Sequence, residues 1–221
     1  MDNPTPKRQS TVFTQFKYPA NKKRFLHRSL HNLDKEFLEV ILSRNSDPNI
    51  LSSLSENELS ELLLISTKIR SIHIDNDGYV ITKRTTPSAG GRHPVDILVS
   101  QFAPSGNRSL SYYNPIDHSL SELLVPAAKL QDFYSEVNLN LPLEEACLIW
   151  FSIQKEKTGS KYYSPQSLYW RDTGALLYCI QLASTYLGYK SCPIGTLANA
   201  TFNLLFNNPK LASGGGILIG K

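Results

Sequence analysis

The spacing of apolar residues predicts two helices in the first third of the chain. Residues 31–42, "HNLDKEFLEVIL", place an apolar side chain every three to four positions, as one face of a helix requires. A polar loop, "SRNSDPN", follows, and then residues 54–66, "LSENELSELLLIS". There Ser55 and Glu58 have the three-residue spacing of a capping box ahead of a leucine-rich run. We therefore expect two helices separated by a loop.

The middle of the chain has the pattern of strands. Residues 69–84 read as two short strands around Asp75-Asn-Asp-Gly, which is typical of a hairpin. Residues 95–103, "VDILVSQFA", predict a further strand, and residues 108–124 predict a strand and turn. Residues 145–154, "EACLIWFSIQ", are almost continuously apolar, which favours a central strand buried on both faces.

The C-terminal part combines one long helix with a final strand. Residues 169–187 are amphipathic, and Gly188 is a natural left-handed stop for this helix. The last residues, "GGGILIGK", predict a terminal strand. Helices and strands therefore alternate without the regular beat of a doubly wound sheet, and we expect an α+β fold.

Composition and charge narrow the class of protein. The chain has 221 residues, of which 41% are hydrophobic and 19% charged, as in soluble globular proteins. Its N-terminus lacks the apolar core of a signal peptide, so we expect a cytoplasmic protein. Three cysteines without CxxC spacing predict reduced thiols, and five scattered histidines without an HExxH pair argue against a zinc site.

The net charge of +4 is distributed unevenly. The first 30 residues hold seven basic residues against one acid, Asp2, which gives +6 and leaves about −2 for the rest. We therefore divide the chain into a basic N-terminal arm, residues 1–31, and a domain, residues 32–221. Such an arm could contact nucleic acid, an acidic peptide or a neighbouring subunit, or it could be a solvated tail.

The segment "KRTTPSAGGRHPVDILVS", residues 83–100, has the most unusual composition in the chain. It contains neither the GxGxxG of a dinucleotide fold nor the GK(S/T) of a P-loop. Its prolines and small residues would let a flat ligand approach the backbone amides, although a plain loop has the same composition. Lys83 and Arg84 could face a phosphate, a substrate or solvent.

Several segments resemble one family. "TPSAGGRHPVDI" resembles the Pro-Ser-(Ala/Gly)-Gly-x-x-x-Pro-x-(Glu/Asp) signature of the nitroreductase superfamily of flavoproteins. It is most similar to the SagB-type branch, the dehydrogenases that accompany thiazole- and oxazole-forming peptide synthetases. "SYYNPIDHSL", residues 169–195 and "GGGILIGK" resemble further segments of that branch in the same order. The resemblance covers roughly residues 36–221.

The resemblance implies a nitroreductase-like α+β fold with a mixed or antiparallel central sheet flanked by helices. It implies FMN bound at the interface of a homodimer and hydride transfer between a substrate carbon and flavin N5. The implied substrate is peptide-derived or heterocyclic, and partner biosynthetic proteins could present it. The resemblance suggests neither a membrane nor nucleic acid as a partner.

The family's pattern can be transferred residue by residue at the flavin ring. Pro87, Ser88, Ala89 and Gly90 match the segment that lies along the isoalloxazine and offers it backbone groups. Gly195 matches the glycine near the far side of the flavin.

At the FMN phosphate the match is incomplete. Arg44 and Ser46 match part of the family's Arg-Arg-Ser-x-Arg loop, in which an arginine fork suits a phosphate. Pro48 stands where the later arginine is expected, and Ile50 stands where an aromatic residue is expected. Lys221 could supply the missing positive charge from the C-terminal strand.

A base for substrate oxidation is suggested by "GSKYYSPQS", residues 159–167. Its Lys161-Tyr162 resembles the Lys-Tyr pair of azoline-oxidising members, and a solvated loop is the alternative reading. A lysine acts as a base only when burial or neighbouring cations lower its pKa. His93 could reach the flavin edge or the substrate, or simply form a surface hydrogen bond, and His118 could cap a helix, pack or take part in the chemistry.

Three functions stay open at this point. The first is an FMN-dependent dehydrogenase of a peptide-like or heterocyclic substrate, with Lys161 or Tyr162 handling the proton. The second is an NAD(P)H-dependent, nitroreductase-like reductase of small electrophiles. The third is a flavin-poor scaffold or binding subunit of a biosynthetic complex, which the incomplete arginine loop and the basic arm would suit.

Overall fold

A seven-stranded antiparallel sheet forms the centre of the molecule. The computed structural model describes residues 3–75, 78–102, 107–143 and 145–221. In space the strands of this sheet follow the order β10-β11-β8-β5-β6-β7-β2. In chain order they are β2 (Ala20–Phe25), β5 (Val95–Phe102), β6 (Arg108–Asn114), β7 (Ser119–Leu123), β8 (Cys147–Gln154), β10 (Lys190–Ile194) and β11 (Leu211–Gly220).

In the part of the chain that the structure describes, two small ribbons and six α-helices complete the fold. The ribbons pair β1 (Thr5–Pro6) with β9 (Tyr162–Tyr163) and β3 (Ile69–Ile74) with β4 (Val80–Arg84). The helices are α1 (Phe37–Ser43), α2 (Glu56–Thr67), α3 (Ala127–Asn138), α4 (Lys155–Gly159), α5 (Gln166–Leu187) and α6 (Asn199–Phe206). This is the α+β architecture that the sequence predicts. No helix of the described residues has the length and apolar character needed to cross a membrane.

Strand β8 is buried along its whole length, as its apolar sequence predicts. Successive side chains of a strand point to opposite faces of the sheet. Ile149 and Phe151 therefore pack with residues of α2 and α5, whereas Leu148 and Trp150 pack with residues of α3 and α6. The sheet is thus covered by helices on both faces, which explains why this strand lacks polar alternation.

The ends of two helices confirm the sequence signals. The Ser55 side chain caps α2 by accepting from the backbone N–H of Glu58. The carboxylate of Glu58 in turn accepts from the backbone N–H of Ser55. Helix α5 ends at Gly188, which has the left-handed φ of 79°. The turn of the β3–β4 hairpin was predicted at Asp75-Asn-Asp-Gly, and residues 76–77 of it lie outside the described residues.

The first predicted helix differs from its expectation. It begins at Phe37, and Glu36 at its N-cap makes no side-chain capping bond. Its predicted apolar stripe is not buried in the chain, since Phe37 is 72% exposed and Leu42 is 75% exposed. Val40 is the helix residue that packs inward. Periodicity identified a helix here but not its length or which side faces the protein.

The basic N-terminal segment lies along the body of the protein. Its residues Ala20–Phe25 form β2, the edge strand paired with β7. Lys23 and Arg24 are exposed there and pair with Asp117 and Glu56. Farther towards the N-terminus, Gln154 bonds to both backbone groups of Phe16. Residues 3–25 are thus held by backbone pairing and side-chain bonds.

Glycine is required where β11 crosses the ring of Trp150. A Cβ on Gly216 would collide with that ring and would lie 2.7 Å from the carbonyl oxygen of Ile149. We expect Gly216→Ala to lower the free energy of unfolding by about 1–3 kcal/mol, because both neighbours are held inside the sheet. Gly174→Ala is the control: its Cβ would meet nothing within 4 Å in helix α5.

We expect the control to be neutral or to stabilise by up to about 1 kcal/mol, because alanine favours a helix. Urea unfolding followed by circular dichroism measures both variants. Equal stability of Gly216→Ala and the wild type would contradict the packing described at Trp150.

Candidate functional site

The Pro-Ser-Ala-Gly-Gly segment forms a tight turn that is tied to helix α5. The Ser88 hydroxyl donates to Oδ2 of Asp172 at 2.5 Å, and the Ala89 backbone N–H lies 3.3 Å from both oxygens of that carboxylate. Ser88 Oγ in turn accepts from the backbone N–H of His93 at 2.8 Å. One buried carboxylate and one hydroxyl therefore fix both ends of the turn.

Two glycines make this turn possible. Gly90 and Gly91 have φ values of 60° and 66°, in the left-handed region that favours glycine. A Cβ on Gly91 would lie 2.7 Å from Cγ2 of Ile81 on strand β4. The turn can therefore lie against the β3–β4 hairpin only because this residue has no side chain.

The turn also meets the Lys-Tyr pair. A Cβ on Gly90 would lie 2.9 Å from Oη of Tyr162 and 3.0 Å from Cδ of Lys161. Two segments that are 71 residues apart in the sequence are thus in contact, with the pair's side chains over the backbone of Gly90. Both side chains are half-buried. The structure brings together Pro87–Gly90 and the two residues predicted to be catalytic.

The N-terminal segment holds the Lys-Tyr pair in place. The backbone N–H of Lys7 donates to the carbonyl of Lys161 at 2.8 Å, and its ammonium donates to the carbonyl of Gly159 at 2.7 Å. Pro6 is opposite Tyr162 in the β1–β9 ribbon. The main-chain position of the pair therefore depends on the basic arm.

A cavity of about 290 Å³ lies beside the turn. The turn contributes Pro87, Ser88 and Gly91 to its wall, and helix α5 contributes Asp172 and Leu176. Further lining comes from the arm, strands β4, β5 and β6, and helix α4; the residues used below are Phe13, Tyr79, Arg84, Arg92, Tyr112 and Lys157. Ala89, Gly90, Lys161 and Tyr162 are not among the lining residues.

Two ion pairs neutralise most of the charge on this wall. Lys157 Nζ lies 2.7 Å from Oδ1 of Asp96, and both side chains are less than a tenth exposed. The other carboxylate oxygen of Asp96 bonds to Gln154 at 2.5 Å and to the Tyr18 hydroxyl at 3.1 Å. Because three donors, one of them an ammonium, face this buried carboxylate, its charge is well compensated.

The second pair joins Arg92 to Asp75 at 3.1 Å. The Arg92 guanidinium also lies over the ring of Tyr79, at 4.2 Å from the centroid. The backbone carbonyl of Arg92 accepts from the Tyr79 hydroxyl. Burial raises the pKa of Tyr79 to about 12, in spite of the lowering effect of Arg92. This phenol is therefore a hydrogen-bond donor and not a base at neutral pH.

Burial also controls the titration of the turn. It lowers the pKa of His93 to about 3, and the positive charge of Arg84 acts in the same direction. His93 is 8% exposed and its Nε2 lies 2.9 Å from the carbonyl oxygen of Thr82, so Nε2 carries the proton of a neutral ring. Burial raises the pKa of Asp172, while its bonds from Ser88 and Ala89 oppose the rise.

The residues predicted at the FMN phosphate do not lie beside the Asp172 end of helix α5, where the turn is held. Arg44 follows α1 and is half-buried, and the exposed Ser46 accepts a 3.4 Å bond from Gln181. Gln181 is nine residues after Asp172, which corresponds to about 14 Å along the helix. Lys221 pairs with Glu58 at 2.7 Å. The phosphate residues and the turn therefore do not share one cavity.

Gly195 is exposed at the end of β10, and a Cβ there would meet nothing within 4 Å. In the described residues no contact joins it to the Pro87–Gly90 turn. His118, in contrast, is fully buried, and its ring bonds to Tyr113 at 2.8 Å and to Ser60 at 2.9 Å. Its burial and these bonds favour packing among the capping, packing and chemical roles that the sequence left open.

Sequence reasoning missed Asp172, which orders the turn. A signal was present, because Leu168, Asp172 and Leu176 recur at four-residue intervals on the buried face of α5. A carboxylate on such a face needs hydrogen-bond partners inside the protein. Asp96 carried the same signal, because it is the one acid inside an apolar strand.

Comparison of the fold with solved structures finds nitroreductases. A candidate nitroreductase from Ralstonia eutropha JMP134 matches with a TM-score of 0.67 and 16% identity, over 99% of this chain and 98% of that one. A chain of the E. coli microcin synthetase McbBCD complex with truncated pro-MccB17 bound matches with a TM-score of 0.61 and 18% identity, over 91% and 78%. A candidate NADH oxidase from Clostridium acetobutylicum matches with a TM-score of 0.52 and 15% identity, over 82% and 86%.

The fold is therefore nitroreductase-like, as the sequence resemblance implies. At these levels of identity the comparison establishes the architecture and not the chemistry. No protein-family model matches the sequence, and no curated protein sequence matches it.

The neutral ring of His93 makes the stability of the protein depend on pH. Between pH 6.5 and about 3 the unfolded chain binds a proton at this ring and the native protein does not. Stability is therefore lost as the pH falls through this window, by up to about 1.4 kcal/mol per pH unit. We expect His93→Asn to remove the part of the slope that comes from this ring, because asparagine does not titrate. Asparagine also tolerates the left-handed φ of 43° at this position, so the backbone of the turn is kept.

Urea unfolding at a series of pH values measures the slope. His73→Asn, on the exposed strand β3, is the matched control and keeps the wild-type profile. An unchanged acid slope in His93→Asn would show that the ring is not buried as a neutral group.

Proposed function

We propose that this chain is an FMN-dependent oxidoreductase that takes a hydride from a peptide-derived or heterocyclic substrate, as SagB-type dehydrogenases do. One observation carries the proposal. On a nitroreductase-like fold, the backbone of Gly90 lies against the side chains of Lys161 and Tyr162. The segment proposed to face the flavin ring and the pair proposed to take the substrate proton are therefore neighbours.

The turn fits the edge of a flavin. Its outer surface is made of backbone and small side chains, and in the described residues the Gly90 amide N–H has no acceptor. Amide donors of this kind suit the carbonyl oxygens and ring nitrogens of an isoalloxazine. Asp172 holds the turn rigidly, so these donors need no reordering when a ligand binds. Pro87, Ser88, Ala89 and Gly90 would hold the ring.

At the phosphate, Arg44 and Ser46 provide a fork and a hydroxyl. Arg44 forms no ion pair with any carboxylate that the structure describes. Its donors are therefore available to an anion. Lys221 would join them only by releasing Glu58. We propose that this end is the weaker half of the FMN site, because Pro48 replaces an arginine of the family pattern.

The distance of about 14 Å along α5 between the two ends is consistent with FMN shared between subunits. In the proposed homodimer, the phosphate residues of one copy and the turn of the other could serve the same FMN, with Gly195 near its far side. The dimer interface would also cover apolar side chains of α1 that are exposed in the single chain.

FMN, when bound, supplies N5 as the acceptor of a hydride from the substrate carbon. The residues of the chain handle the proton. The Lys161 amine or a Tyr162 phenolate would accept the proton that leaves the adjacent substrate atom. Bonds from the backbone N–H and the ammonium of Lys7 hold this segment in place.

A second candidate function is an NAD(P)H-dependent reductase of small electrophiles. The candidate NADH oxidase among the solved structures of the same fold favours it. Anaerobic addition of NADH and NADPH to the flavin-loaded protein distinguishes the two enzymes. Rapid bleaching of the flavin band supports the reductase, and an unchanged band supports the dehydrogenase.

Bound FMN is the first expected outcome. The purified protein should be yellow and should bind about one FMN per subunit, and Arg44→Gln should weaken FMN binding roughly tenfold or more through the loss of a charge-assisted bond. Riboflavin, which has no phosphate, should bind the variant and the wild type equally. Lys17→Gln removes an exposed charge of the arm and should leave FMN affinity unchanged.

Fluorescence titration measures these affinities. A colourless protein that takes up no added FMN would rule out both enzymes and favour the scaffold subunit. Equal loss of FMN and riboflavin binding in Arg44→Gln would instead place Arg44 outside the phosphate site.

Lys161→Ala should abolish turnover while FMN stays bound. A synthetic thiazoline peptide is the substrate, and mass spectrometry follows its conversion to the thiazole through the loss of two hydrogen atoms. Lys161→Arg separates the two roles of the side chain, because a guanidinium keeps the charge but is not a base at working pH. Restored turnover in Lys161→Arg would assign Lys161 to positioning and leave Tyr162 as the proton acceptor.

A further inference from the structure

We propose that the cavity beside the turn binds a small organic carboxylate, with Arg84 as the residue that holds its charged end. The inference does not depend on flavin chemistry. The cavity wall excludes Gly90, Lys161 and Tyr162, although it shares Pro87 and Ser88 with the segment proposed to hold the flavin ring. The sequence left open whether Arg84 faces a phosphate, a substrate or solvent. The proposal makes Arg84 a ligand-binding residue.

Arg84 is a cation on the cavity wall that has no ion-pair partner among the described residues. Its Nε donates to Thr82 Oγ1 at 2.8 Å, and in the described residues its terminal nitrogens have no hydrogen-bond partner. It forms no ion pair with any described carboxylate. Burial lowers its pKa, while the negative charge of Asp96 acts in the opposite direction.

The neighbouring acids are already engaged. Asp96 is bonded to Lys157 and Gln154, and Asp172 is bonded to Ser88 and the Ala89 amide. Arg92, the other guanidinium on the wall, is paired with Asp75. An anion that entered the cavity would therefore meet a guanidinium that forms no ion pair and has four free N–H donors, which is the geometry of a bidentate arginine–carboxylate pair.

The charge and the walls favour a carboxylate over a phosphate. A single guanidinium without an ion pair matches a single negative charge, whereas a phosphate monoester carries nearly two at neutral pH. The remaining wall is aromatic and apolar, with Phe13, Tyr79, Tyr112 and Leu176 among its residues. A volume of about 290 Å³ corresponds to about ten waters and suits an acid with one ring or a short chain.

Calorimetric titration of the full chain with benzoate tests the proposal. We expect one benzoate per chain and no binding of benzamide, its neutral analogue. Arg84→Gln should weaken benzoate binding at least about tenfold, because a hydrogen-bonded charge pair is lost. Arg84→Lys keeps the charge without the fork, and its affinity for benzoate should lie between those of the wild type and Arg84→Gln. Lys83→Gln is the matched control, because this adjacent residue on β4 is exposed and does not line the cavity.

Parallel titrations with hexanoate and inorganic phosphate define the class of anion. Binding of hexanoate without binding of benzoate would support a carboxylate with an aliphatic body. Arg84-dependent binding of phosphate alone would overturn the assignment. Failure of both acids to bind, or equal binding by Arg84→Gln and a folded wild type, would also overturn it.

FMN-loaded protein separates this site from the proposed flavin site. We expect benzoate to bind with the same affinity when the flavin band is saturated. Competition between the two would place the cavity inside the flavin site and overturn the inference. A protein that binds benzoate but no FMN would instead retain this inference and remove the proposed oxidoreductase.

Discussion

Burial of strand β8 on both faces is the constraint from which the geometry of the site follows. Its hydrogen bonds to β5 and β11 place three strands side by side, and the helices above and below cannot shift without opening the core. Strand β5 begins directly after the glycine turn, and β8 leads through α4 into the Lys-Tyr segment. The two halves of the candidate site are therefore positioned by adjacent strands of one buried sheet.

On this framework the polar groups are arranged so that nearly every buried charge has a partner. Asp172 fixes the turn, Asp96 and Lys157 compensate each other, and Arg92 is held by Asp75 and the ring of Tyr79. Each pairing is needed because an isolated charge in such a site is expensive. The same rule makes Arg84 unusual, since a partly buried guanidinium without an acid is more stable when an anion is present.

The N-terminal segment changes its meaning in the folded chain. Its positive charges suggest an arm for an acidic partner, and some of them remain exposed on β2. Its backbone, however, completes the edge of the sheet and pairs with the segment that carries Lys161 and Tyr162. Charge alone gave no sign of this role, because backbone pairing depends on strand geometry and not on side-chain type.

The sequence by itself determined the elements whose signals are local. The capping box at Ser55, the stop at Gly188 and the apolar run of β8 each depend on residues within a few positions, so pattern and propensity suffice. The mixture of helices and strands indicated an α+β fold, and the family resemblance added the central sheet flanked by helices and marked the turn at Pro87–Gly90. The tertiary structure alone decided which side of α1 is exposed, that Asp172 holds the turn, and that Lys161 and Tyr162 lie on Gly90. These contacts join residues that are far apart in the chain, and only the packing of the whole sheet brings them within bonding distance.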